Sequence, residues 1–182
     1  MHNTKIFIYN KTWLESGMAN VVQTLHMAQN LNNLASTTIF LRSRKKNYQK
    51  EIKKIIGTNA RFKCIVNNKS LFTNFLHCLY VLGFCNRKNT IFYSRTVIMC
   101  IIATLMGFKS VLELHQDKLG RSEFLSDIFS TILGLSYITS KLKIIVISES
   151  LKNIILSKYG IKNKIYVAHD AANAPPKKLL NI

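Results

Sequence analysis

Apolar positions along the 182-residue chain follow two rhythms. Short, near-continuous apolar runs alternate with longer stretches in which apolar residues recur every three to four positions, the spacing of a helix that buries one face. The runs predict strands at 5–10, 37–41, 62–66, 90–94, 110–115, 143–148 and 164–168. The intervening stretches predict helices at 17–32, 42–56, 71–85, 96–107 and 151–159, with one or two more over 122–140, where Gly134 is a weak point. In the first helix Met18, Val21, Val22, Leu25 and Ala28 repeat at helical spacing; in the basic second one Tyr48, Ile52, Ile55 and Ile56 form the apolar side. Residues 11–17 read as a polar loop, and Pro175-Pro176 ends regular structure. Strands that are apolar on both faces need cover on both, and strict alternation with helices supplies it. The expected fold is α/β: a doubly wound, mostly parallel Rossmann-like sheet of about seven strands, helices on both faces, joined by right-handed crossovers.

Composition changes that picture in one respect. A hydrophobic fraction of 48% is that of a globular chain, but the net charge of +18 favours phosphate-bearing partners: nucleic acid, anionic lipid or phosphorylated substrates. The chain is also rich in Lys, Asn and Ile and poor in Arg, Gly and Pro, a skew that inflates lysine everywhere and lowers the weight of the charge. Cys64, Cys78, Cys85 and Cys100 have no metal-ligand spacing and read as small buried hydrophobes of a reducing compartment. No apolar run reaches the length of a membrane span.

In an open parallel sheet, ligands bind at the carboxyl ends of the strands, and the polar residues collect there. Side chains alternate along a strand, so Val111, Glu113 and His115 share one face. An ionised Glu113 on a buried strand must be paired or coordinated. His115 is placed to act as a general base or to position an acceptor hydroxyl. Arg95 follows its strand directly, as a bidentate donor to phosphate or carboxylate or as the ion-pair partner of Glu113 one strand along. Ser16-Gly17 opens a helix and could turn backbone N–H groups toward an anion. Ser148 reads first as the cap of the helix after it, and His169-Asp170 ends the last strand, where the aspartate holds a sugar hydroxyl or only terminates the strand. His2, His26 and His77, at the terminus or on helices, read as structural. G-x-G-x-x-G, a Walker loop, G-x-S-x-G and H-E-x-x-H are all absent, which weighs against NAD, ATP and metal-hydrolase chemistry.

Taken in order, these segments resemble the N-terminal, acceptor-side domain of retaining GT-B glycosyltransferases of family 4. The resemblance runs through Ser16-Gly17-Met-Ala-Asn-Val-Val-Gln-Thr-Leu25, Ile91-Phe-Tyr-Ser-Arg95, Val111-Leu-Glu-Leu-His115, Ile144-Ile-Val-Ile-Ser-Glu-Ser-Leu151 and Lys164-Ile-Tyr-Val-Ala-His-Asp170. It covers roughly residues 5–173, with Ser16-Gly17 for the usual double glycine and Ala171 and Asn173 for an expected glycine and acid. It implies one Rossmann-like domain over 1–174, the start of an interdomain linker at 175–182, and no donor-binding C-terminal domain in this chain. It implies sugar transfer from a nucleotide-sugar to a glycan or lipid-linked acceptor, in glycan or cell-envelope polysaccharide biosynthesis, with a partner chain completing the cleft. The nucleotide-sugar is the donor substrate, and no cofactor or metal is expected. By resemblance His115 lies near the transferring sugar and Gly17 approaches the donor phosphate, with Ser16, Arg95, Glu113, Ser148, His169 and Asp170 as substrate contacts. The location implied is cytoplasmic, peripheral on the inner face of an anionic membrane, through residues 42–54 and 71–85. Two other readings stand beside it: a non-catalytic membrane adaptor for a separate catalytic chain, and a nucleic-acid binder, which lacks any matching motif.

Overall fold

The computed structural model describes residues 4–68 and 70–168. Seven strands form one sheet: β1 (Lys5–Trp13), β2 (Ser36–Arg42), β3 (Lys63–Asn67), β4 (Thr90–Ser94), β5 (Lys109–Leu114), β6 (Leu142–Val146) and β7 (Ile165–Val167). All neighbours pair in parallel, in the order β3-β2-β1-β4-β5-β6-β7. The order reverses between β1 and β4, so the edge of the sheet opens there into a crevice. Seven α-helices connect the strands: α1 (Ala19–Leu31), α2 (Tyr48–Ile56), α3 (Leu71–Gly83), α4 (Val97–Leu105), α5 (Glu123–Leu133), α6 (Ser136–Lys141) and α7 (Glu149–Tyr159). The fold is therefore the doubly wound α/β sheet that the pattern predicts, with every strand parallel.

The two faces are covered unequally. On one, Phe7, Phe40 and Phe92 form a row, with ring centroids 6.4 and 6.2 Å apart. Cys78 and Leu82 of α3, Met99, Cys100 and Ala103 of α4, Leu133 of α5, Ile138 of α6 and Ile155 of α7 pack on that face. On the other, α1 and α2 bring Val21, Leu25, Ala28 and Ile52 onto Ile8, Ile39 and Leu41. Toward β7 this second face carries the partly buried Val111 and Ile145 and the exposed Tyr166.

Two segments depart from the expectation. Residues 11–13 continue β1 instead of starting a polar loop, with a register shift between Tyr9 and Trp13. Trp13 is held by two guanidinium groups, Arg42 at 3.9 Å and Arg44 at 4.7 Å from the ring centroid, and the buried Leu14 starts a 3-10 turn over Leu14–Ser16. The second helix starts at Tyr48 and not at Arg42, because Arg42 closes β2 and the next residues are captured by Glu15. Its carboxylate accepts from the Ser43 hydroxyl, from Arg44 N at 2.8 Å and from Lys45 N at 3.1 Å.

Candidate functional site

The crevice at the switch point is a cavity of about 740 Å³ above the carboxyl ends of β1, β4 and β5. Each strand brings polar groups to it. From β1 comes Asn10, which is buried; its amide donates to Asn20 Oδ1 (3.1 Å) and Thr24 Oγ1 (2.9 Å), and its oxygen accepts from Thr12 N (2.9 Å). That network fastens the strand end to the first turns of α1. Beyond the end of β4 stands Arg95, and β5 supplies Glu113, with His115 just past its last residue.

Glu113 organises the wall. The residue is 8% exposed, and its carboxylate takes donors from three side chains. Arg95 binds it in a fork, Nε at 2.9 Å and Nη2 at 2.8 Å, His115 Nε2 lies at 2.5 Å, and the Tyr93 hydroxyl donates to the second oxygen. Arg95 Nη1 also donates to Gln23 Oε1 of α1 at 3.0 Å. Burial by itself would raise the Glu113 pKa. The hydrogen bonds from Arg95 and Tyr93, the Arg95 charge and the His115 contact outweigh it and hold the carboxyl below its ordinary value. The same burial, with the carboxylate beside it, pushes the Tyr93 hydroxyl upward, so it stays a donor. A carboxylate held ionised makes His115 Nε2 the donor in their contact and fixes the plane of the ring.

The remaining walls differ in character. Lys11, Lys118 and Arg121 join Arg95 on the rim, so cations outnumber the single carboxylate of the lining and the cleft suits a phosphate-bearing substrate. Opposite, Leu71, Phe75, Ile98, Leu125 and Phe129 form an apolar wall from α3, α4 and α5. The loop after β5 is pinned where Gly120 N donates to Ser126 Oγ at 3.0 Å, and a Cβ on Gly120 would stand 2.7 Å from Leu125 Cβ.

Arg95, Glu113 and His115 thus converge in one cleft, and Arg95 makes the ion pair with Glu113. Ser16 and Gly17 lie on the same edge of the sheet, outside the lining of the cavity. Ser16 Oγ donates to Trp13 O at 2.7 Å and accepts from Met18 N at 3.4 Å, and Gly17 adopts φ 62° with open space around its Cα. Ser148 caps α7, accepting from Leu151 N at 3.1 Å. His169 and Asp170, like the linker at 175–182, fall outside the described residues. Tyr93 was not anticipated, although its spacing of two from Arg95 puts it on the Glu113 face. Asn10, Gln23 and the rim cations carry no comparable signal in the sequence.

The fold and its crevice define a class, the doubly wound α/β domain with a ligand cleft at the switch point. A solved member of that class matches almost all of the chain: the crystal structure of a glycosyltransferase from Rickettsia africae ESF-5, with a TM-score of 0.61 and 19% sequence identity over 98% of this chain. The chain spans 48% of that protein, so it has the fold of about half of a solved glycosyltransferase. No protein-family model matches the chain, and no curated protein does.

Proposed function

We propose that the chain is the acceptor-side half of a retaining family 4-like glycosyltransferase, a single domain over 1–174 that works with a donor-binding half. The observation that carries this reading is the Glu113 constellation at the switch point: an ionised carboxylate that holds Arg95, Tyr93 and His115 in place on one wall of a cationic cleft. In sugar transfer the bond from the anomeric carbon to the nucleotide phosphate breaks, a bond to the acceptor oxygen forms, and the acceptor proton leaves with the phosphate. The groups on this half have the chemistry for the acceptor side of that step. His115, oriented by Glu113, hydrogen-bonds the transferring sugar or the acceptor hydroxyl, and the rim cations meet the charge that develops on phosphate. The open Gly17 turn is the surface assigned to the donor phosphate, with Ser16 beside it and Ser148, His169 and Asp170 as further sugar contacts.

Preorganised groups must surround the transferring sugar from both sides. The chain alone is therefore expected to show no transfer from a sugar nucleotide, and transfer is expected to appear when a donor-binding half is supplied. In that assembly His115→Ala should lower turnover by about two to three orders of magnitude, as for a lost transition-state hydrogen bond, with melting temperature unchanged. Transfer by the chain alone would refute the half-site reading. Full turnover by a well-folded His115→Ala assembly would leave the chain as a non-catalytic adaptor.

A further inference from the structure

Beside the main cleft, the carboxyl ends of β2 and β3 open into a second cavity of about 640 Å³. Arg44, Lys45 and Lys46 stand on its rim, in the loop that Glu15 holds. Its far wall is α3, with Thr73, Leu76, His77 and Tyr80. The outer surface of that helix is unusual. Phe72, Leu76, Tyr80 and Phe84 follow at four-residue steps, so they form a single line from the first turn of α3 to its C-cap. They are 71%, 48%, 66% and 76% exposed, and Tyr80 and Phe84 meet edge to face at 4.9 Å. Scattered exposed apolar residues need no explanation, but a continuous ridge marks an interaction surface.

Length, charge and spacing select what covers it. The line runs about 18 Å down the helix, away from the carboxyl edge of the sheet. A donor-binding half seated on that edge leaves its far end uncovered. Between Leu71 and Gly83 there is no Lys, Arg, Asp or Glu, so two copies of a chain of charge +18 can meet along α3 without opposing like charges at the seam. Even spacing makes the line self-complementary. Read backwards, Phe84, Tyr80, Leu76 and Phe72 keep the same steps, as a two-fold interface requires. A fully covered aromatic side chain buries about 150–250 Å², so at these exposures the ridge offers roughly 500 Å² per copy. Two copies together reach about 1,000 Å², the low end of a specific interface.

We propose that the α3 ridge is a homodimer interface, in which two copies pack their ridges side by side as an antiparallel, two-fold pair of α3 helices. Ridges at four-residue steps align when the helix axes cross at about 50°. Phe72 then meets Phe84 of the second copy, and Leu76 meets Tyr80 of the second copy across the axis. Charge sets the antiparallel sense. It puts the two Arg44–Lys46 rims at opposite ends of the dimer, whereas a parallel pair would bring them together. The two carboxyl edges point apart, which leaves each main cleft open. Leu71 and Phe75, on the first turns of the same helix, line the apolar wall of that cleft, so the second copy braces the wall from behind. Dimerisation in this way is independent of the sugar-transfer reading.

Sedimentation equilibrium of the purified full chain tests this. A reversible dimer is expected, with a dissociation constant of about 10 µM, as suits an interface of this size. It should tighten with added salt, because screening relieves the repulsion between two copies of charge +18. Leu76→Lys should weaken it by about thirtyfold or more, since a two-fold interface loses the contact twice. Phe124→Lys, on α5 and 72% exposed, should leave it unchanged. Both positions are exposed, and equal melting temperatures would show that folding is untouched. A short bismaleimide reads the register. An equimolar mixture of Phe72→Cys and Phe84→Cys chains should cross-link above the wild-type background, and neither variant alone should. A chain that stays monomeric up to about 100 µM would overturn the proposal. So would a dimer that loosens with salt, one that survives Leu76→Lys, or cross-linking of either cysteine variant with itself. Dispersal of the dimer by anionic vesicles or by an RNA oligonucleotide would hand the ridge to that ligand instead.

Discussion

Replacing Glu113 by Gln keeps the shape of the side chain and removes its charge. The carboxylate accepts from Tyr93, from Arg95 twice and from His115, with donors on both oxygens. An amide offers one acceptor oxygen, and its NH₂ must face donors on the other side, so at least one pairing becomes donor against donor. Arg95 is left without its counter-ion in a place where the two side chains are only 19% and 10% exposed. Breaking a buried pair by removing one partner costs about 3–5 kcal/mol. The lower end applies, because Arg95 keeps Gln23 and borders an open cleft. For a domain of this length 1 kcal/mol moves Tm by about 2–4 °C, so Glu113→Gln should lower it by about 6–12 °C at neutral pH. The pH dependence supplies an independent check. The folded pKa of Glu113 is depressed, so its contribution is fully present above the unfolded carboxylate value of about 4.3 and is lost as pH falls through the lower folded value. Wild type and variant should therefore converge on acidification. Thermal melts followed by circular dichroism across the acid range would show it. A variant that melts within about 2 °C of wild type at neutral pH, or a gap that persists unchanged into strong acid, would refute the assignment of Glu113 as the group that holds this wall together.

Two further outcomes follow from other parts of the molecule. Gly120→Ala should destabilise by about 1–3 kcal/mol, as overpacking does, because the new Cβ would stand 2.7 Å from Leu125 Cβ and 3.0 Å from backbone; chemical denaturation would measure it, and an unchanged midpoint would show that the loop shifts freely. Burial pushes the Cys64 thiol up to about 12 and those of Cys78 and Cys100 higher still, so these three should resist a thiol-reactive probe at neutral pH until the protein is denatured; rapid labelling of Cys64 in the folded state would contradict the packing of β3.

Much of the sheet is legible in the chain because burial on two faces leaves an unambiguous mark. Ile8, Ile39 and Leu41 face one layer of helices while Phe7, Phe40 and Leu112 face the other, so each strand reads as an apolar run. The strand ends are legible for the same reason: Arg95, Glu113 and His115 interrupt apolar runs and alternation puts them on one face. What is not legible depends on partners far along the chain. Residues 11–13 look like a loop until Arg42 and Arg44 close over Trp13, and the start of α2 depends on a capture by Glu15 from about thirty positions upstream. Gly120 looks like any loop glycine, since its close approach to Leu125 exists only after α5 has packed.

The placement of acid in so basic a chain links these observations. Against 26 Lys and Arg there are eight Asp and Glu, and compositional bias explains the first number better than the second. Glu51, Asp117 and Glu149 pair with exposed lysines, where an ion pair is worth little. Glu15 and Glu113 are spent differently. Each accepts three or more hydrogen bonds at the carboxyl edge of the sheet, and in each, hydrogen bonding overcomes the cost of burial and holds the carboxyl ionised. Each holds together groups from separate parts of the chain: Glu15 gathers the 43–45 loop, and Glu113 fixes Arg95 and His115 side by side. One carboxylate thus shapes the rim of each cavity. Removing either would leave the net positive charge of the edge higher and its geometry worse, and positioning depends on geometry more than on charge.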